Sequence, residues 1–135
     1  QNSVGVRCAI TGKNTAECIG YVGKKNSVTI PPSLKYMGVT YQITSIKTKA
    51  FSGNKNLRSI VIPSSIRTIG SQAFFNCKNL RNITIKTPYL SKKTVGAKAF
   101  KGIHAKAKIK VSKKQKKAYQ KLLKAKGAGK KVTIK

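Results

Sequence analysis

Leu57-Arg58-Ser59-Ile60-Val61-Ile62-Pro63-Ser64-Ser65-Ile66-Arg67-Thr68-Ile69-Gly70-Ser71-Gln72-Ala73-Phe74 decides how this chain folds, because its opening returns 23 residues later as Leu80-Arg81-Asn82-Ile83-Thr84-Ile85. The Ala-Phe step recurs as well, at Ala50-Phe51, Ala73-Phe74 and Ala99-Phe100, spaced 23 and then 26. Five positions before each Phe stands an aliphatic residue, Ile46, Ile69 or Val95, and shortly after it comes Gly53, Cys77 or Gly102. Self-similarity at a fixed period of this length is the mark of a repeat architecture, in which each unit is one supersecondary element.

Within a unit, Leu-x-x-Ile-x-Ile reads as a short strand with side chains alternating between two faces, and Pro63 closes it by removing a ladder donor. Ile66, Ile69 and the Ala-Phe step then return the chain over the other side of the unit. A lone unit cannot cover its own apolar face, so neighbours must stack. Stacking buries Leu57, Ile60, Ile62 and Phe74 against Leu80, Ile83, Ile85 and Phe100. The core is expected to be a column, with the three Ala-Phe pairs at equivalent positions along it.

These residues resemble the BspA-like leucine-rich repeats, whose units look like L-x-x-I-x-I-P-x-x-V-x-x-I-G-x-x-A-F-x-x-C-x-x-L. Leu57 to Leu80 matches nearly every position, including Ile62-Pro63, Ile69-Gly70, Ala73-Phe74 and Cys77. The likeness extends over roughly 28–111 and loosens at both ends. The first unit has an insertion around Tyr36-Met37-Gly38. The last has Lys86 where Pro63 stood, extra residues through Pro88 and Lys92-Lys93, and Ser112 where Pro is expected. The expected fold is mixed but predominantly β, a single leucine-rich-repeat solenoid of about three to four units. Residues 1–27 read as an N-terminal hairpin cap, 28–111 as repeats and 112–135 as a C-terminal helix-strand cap.

The N-terminal cap rests on segments 4–10 and 16–22, which flank the turn-rich Thr11-Gly12-Lys13-Asn14-Thr15 as a hairpin would. A hairpin centred on Lys13 sets Cys8 opposite Cys18, either as a disulfide or as two reduced thiols. Cys77 occupies the repeat's own Cys position and reads as core packing. At the other end, Ser112-Lys113-Lys114-Gln115 has the spacing of a capping box, and Ala118, Tyr119, Leu122 and Leu123 recur at helical intervals. The expected helix runs from about 113 to 125, ends at Gly127 and Gly129, and is followed by a strand at Val132-Thr133-Ile134. This ending resembles the C-terminal cap that often follows such repeats in secreted proteins of Gram-positive bacteria.

Composition narrows the function. Among 135 residues stand 30 Lys and Arg but one acidic side chain, Glu17, for a formal charge of +29. Paired-carboxylate catalysis is therefore impossible, and the sole imidazole, His104, has no Asp to orient it. Three scattered cysteines cannot hold a four-ligand zinc site, and no phosphate-binding glycine motif is present. The chain is expected to be neither an enzyme nor a cofactor protein, and His104 a surface or cap residue. Beginning at Gln1 without a leader pattern, it reads as a processed or trimmed piece, monomeric, with no run approaching a membrane span.

The candidate site is the outward side of the strands. With Leu57, Ile60, Ile62 and their counterparts inside, Arg58, Ser59, Val61, Arg81, Asn82 and Thr84 lie outside, with Lys108 and Lys110 continuing the row. Arg58 and Arg81 would sit about 5 Å apart on neighbouring strands. Their forks suit carboxylates, sulfates and phosphates, and a solvated face fits them equally. A second basic patch, Lys113, Lys114, Lys116, Lys117, Lys121 and Lys124, reads as the solvated face of the helix. The resemblance implies a secreted or bacterial cell-surface interaction module, adhesive or protein-binding through its repeat surface, with a host or cell-surface protein as partner. The alternative is an electrostatic binder of polyanions: nucleic acid, sulfated glycan or anionic wall polymer.

Overall fold

A computed structural model of the chain describes residues 6–21, 25–129 and 131–135. Val4, Gly5 and Val22, which belong to the expected hairpin, lie outside the described residues.

The chain winds as a coil with a sheet on two of its sides and a buried column between them. One sheet is wholly parallel. It joins β3 (Ser27–Thr29), β6 (Ser59–Ile62), β8 (Asn82–Ile85), β9 (Lys108–Lys110) and β10 (Thr133–Ile134) in the order β10-β9-β8-β6-β3. Its register stacks Val28, Ile60, Ile83, Ile109 and Ile134, one per coil, all buried. Ile62 stacks on Ile85 in the same way. Because strand side chains alternate, a one-residue slip would turn this whole set to solvent, so the isoleucines fix the register.

The other sheet contains β1 (Val6–Ile10), β2 (Thr15–Tyr21), β4 (Ser33–Tyr36), β5 (Val39–Ile46) and β7 (Thr68–Ile69). β1 and β2 form the expected antiparallel hairpin, with Cys8 opposite Cys18 beyond an irregularity at Arg7. β2 runs parallel to β5, and Ile46, Ile69 and Val95 stack along the side as three successive coils pair. The stretch around Tyr36-Met37-Gly38 is itself a hairpin between β4 and β5, and its two turn residues, Met37 and Gly38, have φ of 50° and 78°. Two consecutive positive φ values suit the twist of antiparallel strands joined by a two-residue loop.

The Ala-Phe turns form the third side. Phe51, Phe74 and Phe100 are buried and stacked, with centroids 5.3 Å apart at both steps and interplanar angles of 12° and 15°. Backbone bonds tie the coils here: Phe51 N–H donates to Ala73 at 2.8 Å, Phe74 to Ala99 at 2.8 Å and Phe100 to Lys126 at 3.0 Å. Each turn bends through left-handed residues two positions either side of Phe: Lys49 and Gly53, Gln72 and Asn76, Lys98 and Gly102. The counterpart of Gly53 and Gly102 is therefore Asn76, an αL-tolerant residue, and Cys77 follows one position later. Gly70 and Gly96 are needed for another reason. A Cβ on either would lie 2.3 Å from the backbone nitrogen of Thr48 or Ser71 in the neighbouring coil.

The C-terminal helix α1 spans Lys116–Ala125 and buries Tyr119, Leu122 and Leu123, whereas Ala118 is exposed. It starts later than the capping-box spacing implies. Gln115 is the N-cap residue and no side chain caps the helix. Val111 is still held to the sheet through Lys135, so Ser112 to Gln115 must first make a turn, in which Gln115 N–H donates to the Ser112 carbonyl at 3.1 Å. Gly127, at φ 108°, ends the last turn. The Tyr119 hydroxyl donates to Thr87 O at 2.7 Å and accepts from Leu90 N–H at 3.2 Å, docking the helix onto the stretch where the repeat pattern lapses.

Candidate functional site

The parallel sheet gives the outward residues fixed rows. Ser27, Ser59, Asn82, Lys108 and Thr133 form one row; Thr29, Val61, Thr84 and Lys110 form the next. Arg58 and Arg81 stand just ahead of their strands at equivalent positions, and Arg81 N–H donates to the Arg58 carbonyl at 2.9 Å. Both guanidinium side chains are exposed, as are Lys108 and Lys110.

The structure brings Arg58 and Arg81 together, and Lys108 and Lys110 continue the outward rows of the strands, one and three places beyond the line of the two arginines. Lys108 pairs with Asn82, and Lys110 with Thr84, so the residue in line with Arg81 is the buried Ala107. The turn at His104 to Lys106, where His104 N–H is held by Leu80 O at 3.1 Å and the imidazole Nδ1 accepts from Lys106 N–H at 3.0 Å, leads into β9. The histidine thus shapes a turn. Of the lysines expected on the helix, Lys116, Lys117, Lys121 and Lys124 lie on α1 and Lys113 and Lys114 in the turn before it, and all six are exposed.

A further feature was present in the sequence and missed in reading it. Lys55-Asn56-Leu57-Arg58 is repeated as Lys78-Asn79-Leu80-Arg81, and the structure stacks the two tetrads at the corner leading into β6 and β8. Leu57 and Leu80 point inward, while Lys55, Arg58, Lys78 and Arg81 are exposed. The Asn79 side-chain amide donates to Lys55 O at 2.8 Å, clamping one corner onto the other. Asn54 Oδ1 accepts from Leu57 N–H at 3.1 Å, fixing the turn from within. On the opposite corner Arg67 lies over the Tyr89 ring, 4.4 Å from its centroid.

Chemically reactive groups are few. Burial pushes the Cys77 thiol up to about 11, and its Sγ–H donates to Phe51 O at 2.9 Å. Burial, reinforced by Cys8 nearby, pushes Cys18 up to about 12. Neither is a nucleophile near neutral pH, because the thiolate is the reactive form. Among the described residues no group of His, Cys, Asp or Glu could hold a metal ion, and no helix is long and apolar enough to cross a membrane. The lone carboxylate, Glu17, accepts from the Ser45 hydroxyl at 3.2 Å in the other sheet.

The BspA type leucine rich repeat region family model matches residues 31–135 in six copies. The chain belongs to the BspA-type leucine-rich-repeat family. The family match runs through α1 and β10, so the segment read as a cap from 112 onward lies within the matched region. No curated protein sequence matches the chain. Among solved structures, a leucine rich cell surface protein from Faecalibacterium prausnitzii is similar at 22% identity and a TM-score of 0.64, over 84% of this chain and 36% of that one. A leucine-rich repeat protein from Bacteroides ovatus is similar at 25% identity and 0.62, over 99% and 36%. One from Bacteroides capillosus is similar at 16% identity and 0.63, over 100% and 97%. The chain therefore spans about a third of the length of the first two. These likenesses agree with the solenoid.

Proposed function

We propose that this BspA-type domain is a non-catalytic module displayed at a bacterial surface or secreted, which binds host or cell-surface proteins through the outward side of its parallel sheet. The observation that carries this reading is the rigid, solvent-facing array of Arg58, Arg81, Lys108 and Lys110 among Ser59, Val61, Asn82 and Thr84, held in register by the buried isoleucines beneath. An even face on a stiff scaffold loses little conformational entropy on binding, which favours affinity. The likeness to a protein described as a cell surface protein supports the location. The thiols raised by burial and the single acidic side chain agree with a binding role.

The test is saturable binding of the purified domain to immobilised extracellular-matrix and epithelial surface proteins, compared at low salt and at about 0.3 M sodium chloride. A protein partner engaged through shape as well as charge keeps its affinity within a few-fold, whereas purely electrostatic attraction falls steeply. Loss of all binding at the higher salt would contradict the reading.

A further inference from the structure

We propose that the corner ridge formed by Lys55, Arg58, Lys78, Arg81, Lys106 and Lys108 is a binding site for a linear phosphodiester polymer, gripped along its backbone. Three successive coils each contribute two exposed cations to one edge of the parallel sheet. Register sets the order: Arg58 beside Arg81, Lys55 beside Lys78 through the Asn79 amide, and Lys108 beside Asn82 in the third coil. Lys131, one coil further on, is exposed and stands opposite Lys106 by the β10–β9 register.

The charge density suits an extended polyanion. Neighbouring strands lie about 4.8 Å apart, so two cations per coil give roughly one positive charge per 2.4 Å along the ridge. That falls between the values of about 1.7 Å per charge for duplex DNA and 3.4 Å for one of its strands. The ridge has no acidic residue to neutralise it, since Glu17 is the only one in the chain and sits on β2 in the other sheet. Clamping by Asn79 and by the Arg58–Arg81 backbone bond keeps the charges from spreading apart, so the repulsion stored there is relieved when an anionic chain replaces counterions.

The neighbours of the ridge indicate backbone recognition. Leu57 and Leu80 are buried beneath it and the phenylalanines lie in the core, which leaves Asn56 and Asn79 between the cations. Stacking of nucleobases needs exposed aromatic platforms, and protein hot spots need aromatic or aliphatic anchors. Tyr36, Met37 and Val39, exposed at the β4–β5 tip, belong to the other sheet. Alternating Lys and Arg donors fit tetrahedral phosphate oxygens as point charges and as forks.

The test compares two charge-matched variants, Lys55→Gln/Lys78→Gln/Lys106→Gln on the ridge and Lys114→Gln/Lys117→Gln/Lys121→Gln on the helix and the turn that leads into it. Fluorescent poly(glycerol phosphate) and an oligo-dT strand serve as probes, distinguishing a wall-type polymer from nucleic acid as the source of the phosphodiester. Losing three phosphate contacts weakens binding roughly a hundredfold at 0.1 M salt and lowers the log–log salt slope by about 2. The ridge variant is expected to show both changes on at least one probe, with the helix variant within about threefold of wild type. Equal losses in the two variants, or no binding of either probe by the wild type at low salt, would overturn the proposal. Because the protein-partner assay above is read at higher salt, the two ideas can fail separately.

Discussion

Phe74→Ala removes the middle ring of the aromatic column. Phe74 has no exposed surface, and stacks on Phe51 and Phe100 at 5.3 Å each. Truncating a buried Phe to Ala costs about 3–5 kcal/mol through lost transfer energy and the cavity left behind. Phe74 takes part in two ring pairs, whereas Phe100 stacks on one ring among the described residues. Each pair adds about 0.5–1.5 kcal/mol beyond burial, so Phe74→Ala should exceed Phe100→Ala by about 1 kcal/mol. For a domain of this size 1 kcal/mol moves Tm by roughly 3–5 °C, which places the loss at roughly 10–20 °C. The assay is urea and thermal unfolding followed by circular dichroism, with Phe74→Leu as the control that keeps most of the apolar volume. In a quasi-one-dimensional stack the central break should also lower the m-value as the two halves uncouple. A Phe74→Ala cost below about 1 kcal/mol would refute the stacked-column account.

Other consequences follow from the same geometry. Adding moderate sodium chloride should raise Tm, because screening relieves repulsion among 30 cationic side chains facing one acidic one; a Tm that falls would contradict this. Gly70→Ala and Gly96→Ala should each destabilise by about 1–3 kcal/mol in urea titrations, since the new Cβ meets the next coil's backbone; a neutral result would mean the coils are not packed this closely. The buried thiols of Cys18 and Cys77, raised to about 12 and about 11, favour the neutral form in the folded state. Their contribution is complete below the ordinary thiol range near about 8.5 and declines as pH rises toward those values. Urea midpoints of wild type should therefore fall more between about pH 8.5 and 10.5 than those of Cys18→Ala/Cys77→Ala, and parallel curves would count against it.

Much of the fold could be read from the sequence because a repeat states its packing more than once. Ile60, Ile62, Ile83 and Ile85 are inward as the alternation implies, Ile46, Ile69 and Val95 stack, and Cys8 faces Cys18. Where the repeat lapses, local chemistry took over. Met37-Gly38 turns an apparent insertion into a hairpin through two left-handed residues, and Val111's bond to Lys135 delays the helix beyond the Ser112 capping pattern. The site was less legible. Lys108 and Lys110 do lie in the outward rows, but the coil from Phe74 to Phe100 is three residues longer than the one before it, and the register sets them opposite Asn82 and Thr84 with the buried Ala107 in line with Arg81. The Lys-Asn-Leu-Arg tetrad was visible twice, yet only the stacked corner shows that its four cations form a single edge.

The measurement closest to the central claim is a charge-matched binding comparison of Arg58→Ala/Arg81→Ala with Lys117→Ala/Lys121→Ala, against matrix and epithelial proteins at moderate salt. Both variants lose two positive charges from exposed positions, but only the first disturbs the array fixed by the strands. If the outward side of the parallel sheet is the binding surface, the arginine variant weakens binding about tenfold or more and the lysine variant by less than about threefold. Equal losses would show that net charge alone governs association and that Arg58 and Arg81 belong to a solvated face.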